Sequence, residues 1–222
     1  MVRVTGTKRS ILDAALALAA EQGISGTTMD DVADRAGVAK GTLYYNFVSK
    51  DKIFESLLLE GLSGLTDALR AARSGRHGWE AIEVLVETLL ERIADNTALA
   101  KVIAGELFRT DRSWQESTDA FRNQVLAQFA LAIDEALPTA SAAGTANLMA
   151  SGVFGATLLV GLEWLVFDPT RAQSDVVAAV LATFSGHLAG PAPRGPGVSI
   201  RHVGERQSPL STDDTVDVNG DV

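Results

Sequence analysis

Seven helix breakers partition this chain so evenly that little besides a helical protein can be built from it. Gly23, Gly37, Ser74-Gly75, Asn96, Pro138, Pro169 and Gly190 fall between stretches whose apolar residues recur every three to four positions. Patterns of alternating polar and apolar residues are scarce. Nine helices are expected, at roughly 8–22, 29–36, 40–46, 50–73, 78–95, 97–110, 113–136, 143–167 and 172–189. With 46% hydrophobic residues over 222 positions, these helices can bury a core. The fold class expected is all-α. The segment from 190 to 222 is rich in Gly, Pro, Ser and Asp and reads as a flexible tail.

The stretch DDVADRAGVAKGTLYYNF, residues 30 to 47, carries the most specific signal. Thr28 and Asp31 have capping-box spacing. Ala33 is small where a second helix must cross closely, and Gly37, four residues on, suits an abrupt left-handed helix end. Leu43 and Phe47, at i and i+4, give the second helix an inner face. Such a pair is a helix-turn-helix. With Leu43 inward, Gly41 and Tyr45 point nearly opposite, and Thr42 and Tyr44 flank them. Lys40 sits at the free N-terminal end. This outer face holds hydroxyls, one cation, no acid, and a glycine that permits close backbone approach. It suits a DNA major groove. A small packed hairpin with solvated tyrosines has the same pattern.

Net charge is −9, yet it is unevenly spread. Residues 1–52 hold seven Lys or Arg against six Asp or Glu, a net +1, and the remainder carries −10. A near-neutral head on an acidic body can meet DNA if its cations share one face.

Residues 8–58 resemble the DNA-binding domain of the tetracycline-repressor (TetR) family of transcriptional regulators. The resemblance rests on an Ala-rich first helix ending in Gly, a Thr-Thr pair, the Ala-Gly-Val turn, then Gly-Thr-Leu-Tyr-Tyr, Phe and Ser-Lys-Asp-Lys. It implies that three helices grip DNA and that a fourth joins them to an all-helical body, which binds a small effector and dimerises through its last two helices. By position it implies DNA contacts at Thr28, Lys40, Thr42, Tyr44, Tyr45 and Lys50, with Gly41 between them. Ala39 stands where a Ser or Thr often caps the recognition helix, and Asn46 replaces a frequent His. The domains expected are a head at 1–52, a body at 53–189 and the tail at 190–222.

In the body, aromatic residues lie at scattered positions and read either as core or as a pocket between helices. Phe108, Trp114, Phe121, Phe154, Glu163 and Trp164 are taken as candidate effector-binding residues. The effector expected is a small, largely apolar molecule between helices 97–110, 113–136 and 143–167. Small residues at Ser151, Gly152, Gly155, Ala156 and Gly161, followed by the stripe Val176, Val177, Val180, Leu181 and Phe184, suggest a homodimer seam over 143–167 and 172–189. Packing within one chain would use the same residues.

Residues 147–167 are apolar enough to span a membrane but carry Glu163 near one end and lack flanking cations. A buried central helix is the preferred reading. The absence of Cys removes thiol nucleophiles and thiolate metal sites. The three His show no catalytic or metal-ligand spacing, so neither an enzyme nor a cofactor or metal is expected. The first residues lack the apolar run of a secretory signal, and a cytoplasmic protein is expected. The function expected is therefore a ligand-responsive repressor binding a palindromic operator in double-stranded DNA as a dimer. A constitutive DNA-binding dimer and a membrane-associated helical sensor are the alternatives.

Overall fold

A computed structural model of the chain describes residues 6–106, 109, 113–137 and 145–188, without the side chains of 117, 118, 121 and 186–188. Among the described residues there are nine helices and no strand: α1 (Gly6–Gly26), α2 (Met29–Ala36), α3 (Lys40–Asn46), α4 (Lys50–Arg73), α5 (Gly78–Asp95), α6 (Thr97–Glu106), α7 (Gln115–Ala136), α8 (Thr145–Phe167) and α9 (Gln173–Leu188). The all-α expectation holds, and most boundaries fall within two residues of those read from the breakers. At α1 the helical hydrogen bonding runs to Gly26, but Gly23 has φ 76° and ψ 161°, so the regular helix stops where it was expected to. The expected tail lies outside the described residues.

Two apolar cores hold the helices. The first joins Ile11, Ala15 and Leu18 of α1, Val32 and Ala33 of α2, Leu43 of α3 and Ile53, Phe54, Leu57 and Leu58 of α4. It also takes in Val102 of α6 and Trp114, 3% exposed, just before α7. The second core is built on α5, whose Ile82, Leu85, Val86, Leu89 and Leu90 are essentially inaccessible. Around α5 pack α4, α7, α8 and α9. Phe129 of α7 meets Phe154 of α8 edge to face, with ring centroids 6.4 Å apart at 73°, a favoured aromatic geometry. Gly161 lets α8 approach α5: a Cβ there would stand 2.9 Å from Leu90 Cδ2 and 3.1 Å from Ile93 Cδ1.

The expected dimer seam is redistributed by this packing. Val176, Val177 and Val180 are buried inside the single chain, where α9 lies against α5 and α8. The apolar stripe of α9 is thus consumed internally, because α5 needs covering on that side. On α8, Ala150 and Gly161 also face inward. What α8 leaves open is a different row: Leu148, Gly152 and Leu159, with the half-exposed Gly155 between them at steps of three or four residues, and Val166 and Phe167 at the helix end. This helix is long and apolar enough to cross a membrane. Its inner face is occupied by Val153, Phe154, Thr157 and Leu158, which are buried among neighbouring helices.

Candidate nucleic-acid interface

The helix pair that presents the candidate DNA face is held by local chemistry that the sequence specifies closely. Thr28 caps α2: its Oγ1 accepts the Asp31 N–H at 3.1 Å, and its own N–H donates to Asp31 Oδ2 at 3.0 Å. The Thr28 hydroxyl also donates to the same carboxylate at 2.7 Å. These bonds, the hydroxyl's first, hold the Asp31 carboxyl below its usual range. Both the proton and a lone pair of Thr28 are therefore engaged within the cap, which leaves this expected phosphate contact with little to offer DNA. Gly37 ends α2 at φ 66° and ψ 32°, and the Val38 N–H closes the turn onto Ala33 O at 3.0 Å. A left-handed residue here is what turns the chain into α3. Glu21 of α1 receives both guanidinium nitrogens of Arg35 at 2.9 and 3.0 Å, fastening α2 to α1.

On α3, Leu43 is fully buried and Phe47 nearly so, while Lys8 of α1 sits 5.2 Å above the Phe47 ring. With the inner face held, the outer face follows. Tyr45 is 90% exposed, Tyr44 is 49% exposed, and Gly41 and Thr42 are open. A Cβ at Gly41 would meet nothing within 4 Å. Ala39 provides no side-chain cap, as its identity requires. Val48, 77% exposed in the link to α4, is a surface apolar residue that was not singled out from the sequence.

The two expected cations behave differently. Lys40 lies in the open but pairs with Asp30 of α2 at 2.7 Å, and that hydrogen bond holds its ammonium above the usual range. The absence of acid expected of this face is true of α3 alone. The turn at Gly37 brings an α2 carboxylate beside it, so a phosphate at Lys40 has to compete with Asp30. Lys50 points inward. Its Nζ donates to the carbonyls of Thr27 at 2.9 Å, Ile24 at 3.0 Å and Ser25 at 3.4 Å. It closes the chain end that leaves α1, where no basic residue of α1 itself is present. Ser49, next to it, caps α4 through Lys52 N–H.

The six expected effector residues are divided. Phe154 and Trp114 line a cavity of about 60 Å³ bounded by α4, α6, α7 and α8, the place expected for the effector. Glu163 is exposed, and Trp164 is half-buried with its indole N–H donating to Arg171 O at 3.0 Å. Neither lines this cavity or the larger one described next, because both sit near the α8 end that faces the link to α9. Phe108 and the Phe121 side chain lie outside the described residues. A larger cavity of about 280 Å³ lies elsewhere, between α1, α4, α5, α6 and α8. Its signal in the sequence was Gly61 and Gly64, three apart in mid-α4, where glycine costs about 1 kcal/mol against alanine. Among the described residues no group of three or more His, Asp or Glu is placed to hold a metal ion.

Residues 11–57, the elements just described, match the family model for bacterial regulatory proteins of the tetR family. This chain thus carries a DNA-binding segment similar to that of the tetR family. Among its curated relatives is the transcriptional repressor KstR2 of Rhodococcus jostii, 37% identical over 98 residues, which are 43% of this chain and 48% of that protein. Another is the repressor KstR of Mycolicibacterium smegmatis, 32% identical over 135 residues, 60% of this chain and 65% of that protein. The chain thus spans about half of the first of these relatives and just under two thirds of the second. Among solved structures, the regulator FadR of Bacillus subtilis in complex with stearoyl-CoA superposes with a TM-score of 0.66 at 21% identity, over 83% of this chain and 99% of that one. That likeness shows that the fold is shared over most of the chain.

Proposed function

We propose that this protein is a ligand-responsive transcriptional repressor that binds a palindromic operator as a homodimer and is released by a small apolar effector in its helical body. The observation that carries the reading is the outer face of α3. Tyr45 and Tyr44 stand in solvent beside an open glycine and a threonine, on a helix whose other side is locked by Leu43 and Phe47. Exposed aromatic rings with hydroxyl tips are costly to leave without a partner, and a base edge with its neighbouring phosphate supplies one. We assign DNA contact to Lys40, Gly41, Thr42, Tyr44 and Tyr45. Thr28 and Lys50 are given structural roles on the hydrogen bonds above.

Two recognition helices one DNA turn apart, about 34–36 Å, require a dimer. The open row of α8, from Leu148 through Gly155 to Val166, with the exposed Ala178, Ala179 and Ala182 of α9, gives a seam where helices can approach closely. The effector is expected to be apolar. Solved structures of similar fold include a ketosteroid regulator of Mycobacterium tuberculosis and a complex with stearoyl-CoA, whose acyl chain is apolar. The head is proposed to occupy 1–52 and the effector and dimer body 53–189, and the protein is proposed to act in the cytoplasm.

Footprinting on the DNA that flanks its own coding region tests the reading. A protected palindrome, with protection lost in the Tyr45→Ala variant, is expected. Sequence-independent binding, or protection that survives Tyr45→Ala, would refute it.

A further inference from the structure

The cavity of about 280 Å³ is walled by both cores at once. Leu12 of α1 and Leu57 of α4 come from the head core, and Leu89, Ile93, Phe154 and Leu158 come from the body core. All are less than a tenth exposed, so the inside is hydrocarbon. Apolar cavities of about 150 Å³ take up benzene. This one has room for a body roughly twice that size.

The rim is charged, yet its charges are spoken for. Arg9 is paired with Asp13 and with Glu60, each at 3.0 Å, and Arg92 with Asp95 at 3.7 Å. Two cations against three carboxylates leave the rim net negative, with no arginine left to draw in an anionic headgroup. The uncharged polar side chain on the lining is Asn96. Its Oδ1 accepts the Leu99 N–H at 3.1 Å, and its amide NH2 makes no hydrogen bond among the described residues. A half-buried donor of this kind favours an acceptor oxygen.

We infer that this cavity is a binding site for an uncharged, compact apolar molecule bearing an acceptor oxygen, seated directly against helix α1 of the DNA-binding head. A phosphate- or carboxylate-bearing ligand is disfavoured there. The occupant touches α1, on which α2 is packed with α3 against it, and touches α5 and α8 of the body, so its fit depends on the spacing of the two cores. Any ligand that prefers one spacing shifts the head. That the occupant acts as the effector rests on the repressor reading above; that the site binds does not.

The test uses the full chain and 2-acetonaphthone, a neutral bicyclic ketone, titrated by calorimetry. Gly64→Leu fills the cavity from α4, where a Cβ meets no atom within 4 Å. Leu16→Trp fills it from α1. Wild type should bind, and each variant that keeps the wild-type melting transition should bind at least tenfold more weakly. Naphthalene-2-sulfonate should bind wild type at least tenfold more weakly than the ketone. Asn96→Asp, which keeps the acceptor toward Leu99 and removes the donor, should abolish the preference for the ketone over naphthalene. No binding by wild type, or undiminished binding by both filled variants, overturns the site. A sulfonate that binds as tightly as the ketone overturns the ligand class. Operator affinity is then measured by fluorescence anisotropy with and without saturating ketone. Binding that leaves operator affinity unchanged overturns the regulatory role while the site stands.

Discussion

Lys50→Met separates a structural lysine from a DNA-contacting one. The side chain keeps its length and loses its ammonium. Two carbonyls, of Thr27 and Ile24, lose bonds of 2.9 and 3.0 Å, and that of Ser25 loses a longer one. Hydrogen bonds to a charged group contribute about 1.5–3 kcal/mol each, and a cation at a helix C-terminus adds roughly 0.3–1 kcal/mol. Lys50 is half-exposed, so the abandoned carbonyls regain water on one side, and a loss of about 2 kcal/mol is the expected net. For a chain of this size each kcal/mol moves the midpoint by about 2–4 °C, so thermal unfolding should fall by about 4–8 °C. Circular dichroism measures this directly. Operator binding is then followed as a function of salt, below the unfolding range. If Lys50 is structural, the slope of log affinity against log salt is unchanged. A phosphate contact would instead lower that slope by about one unit and leave stability alone. That pair of results would refute the assignment.

Tyr45→Ala should leave the melting temperature unchanged, since the ring is 90% exposed, and weaken operator binding by about 1–3 kcal/mol in anisotropy titrations. A Cβ at Gly155 would meet no atom within 4 Å inside one chain, so Gly155→Leu should leave the monomer folded and shift the oligomer toward monomer in sedimentation. Glu135 accepts the Gly78 N–H at 3.1 Å, and that bond, aided by His77 and Arg73, holds its carboxyl below the usual 4.5. A depressed carboxyl contributes stability that is complete above the unfolded value and is lost as pH falls through the folded one. Stability measured by urea unfolding should therefore decline below about pH 4.5 with a steeper slope in wild type than in Glu135→Gln.

Much of the head was legible because its instructions are local. A capping box at Thr28, a left-handed Gly37 and an i, i+4 pair at Leu43 and Phe47 each act within one or two turns, and the structure uses each in that way. The direction of Lys50 was not legible. A lysine after a capping serine looks the same whether its ammonium meets a phosphate or reaches back across 23 residues to Thr27 O. The apolar stripe of α9 was read correctly as a stripe, but periodicity names a face and not its partner. Val176, Val177 and Val180 face α5 and α8 of the same chain. Trp114, taken as a candidate effector-binding residue, lines the smaller cavity and is also part of the head core, since the segment before α7 returns to α4, where Ser113 donates to Asp51 at 2.9 Å.

That return changes how an effector can reach the DNA face. If α4 were the sole connection, it would be a stiff rod of 24 residues, about 36 Å, and any tilt at one end would swing the head freely at the other. The head core, however, also holds Val102 of α6 and Trp114, while Ala100 of α6 lies in the body core. A second helix therefore crosses between the cores, and the head cannot turn about α4 without pulling Val102 and Trp114 from their contacts. Close-packed contacts of this kind favour discrete arrangements over gradual bending. A ligand against α1, α4 and α6 together presses on each element that crosses the junction. One in the smaller cavity bears on α4, α6 and Trp114 but not on α1. The two-core junction is thus where the proposed effector would bear on both cores at once.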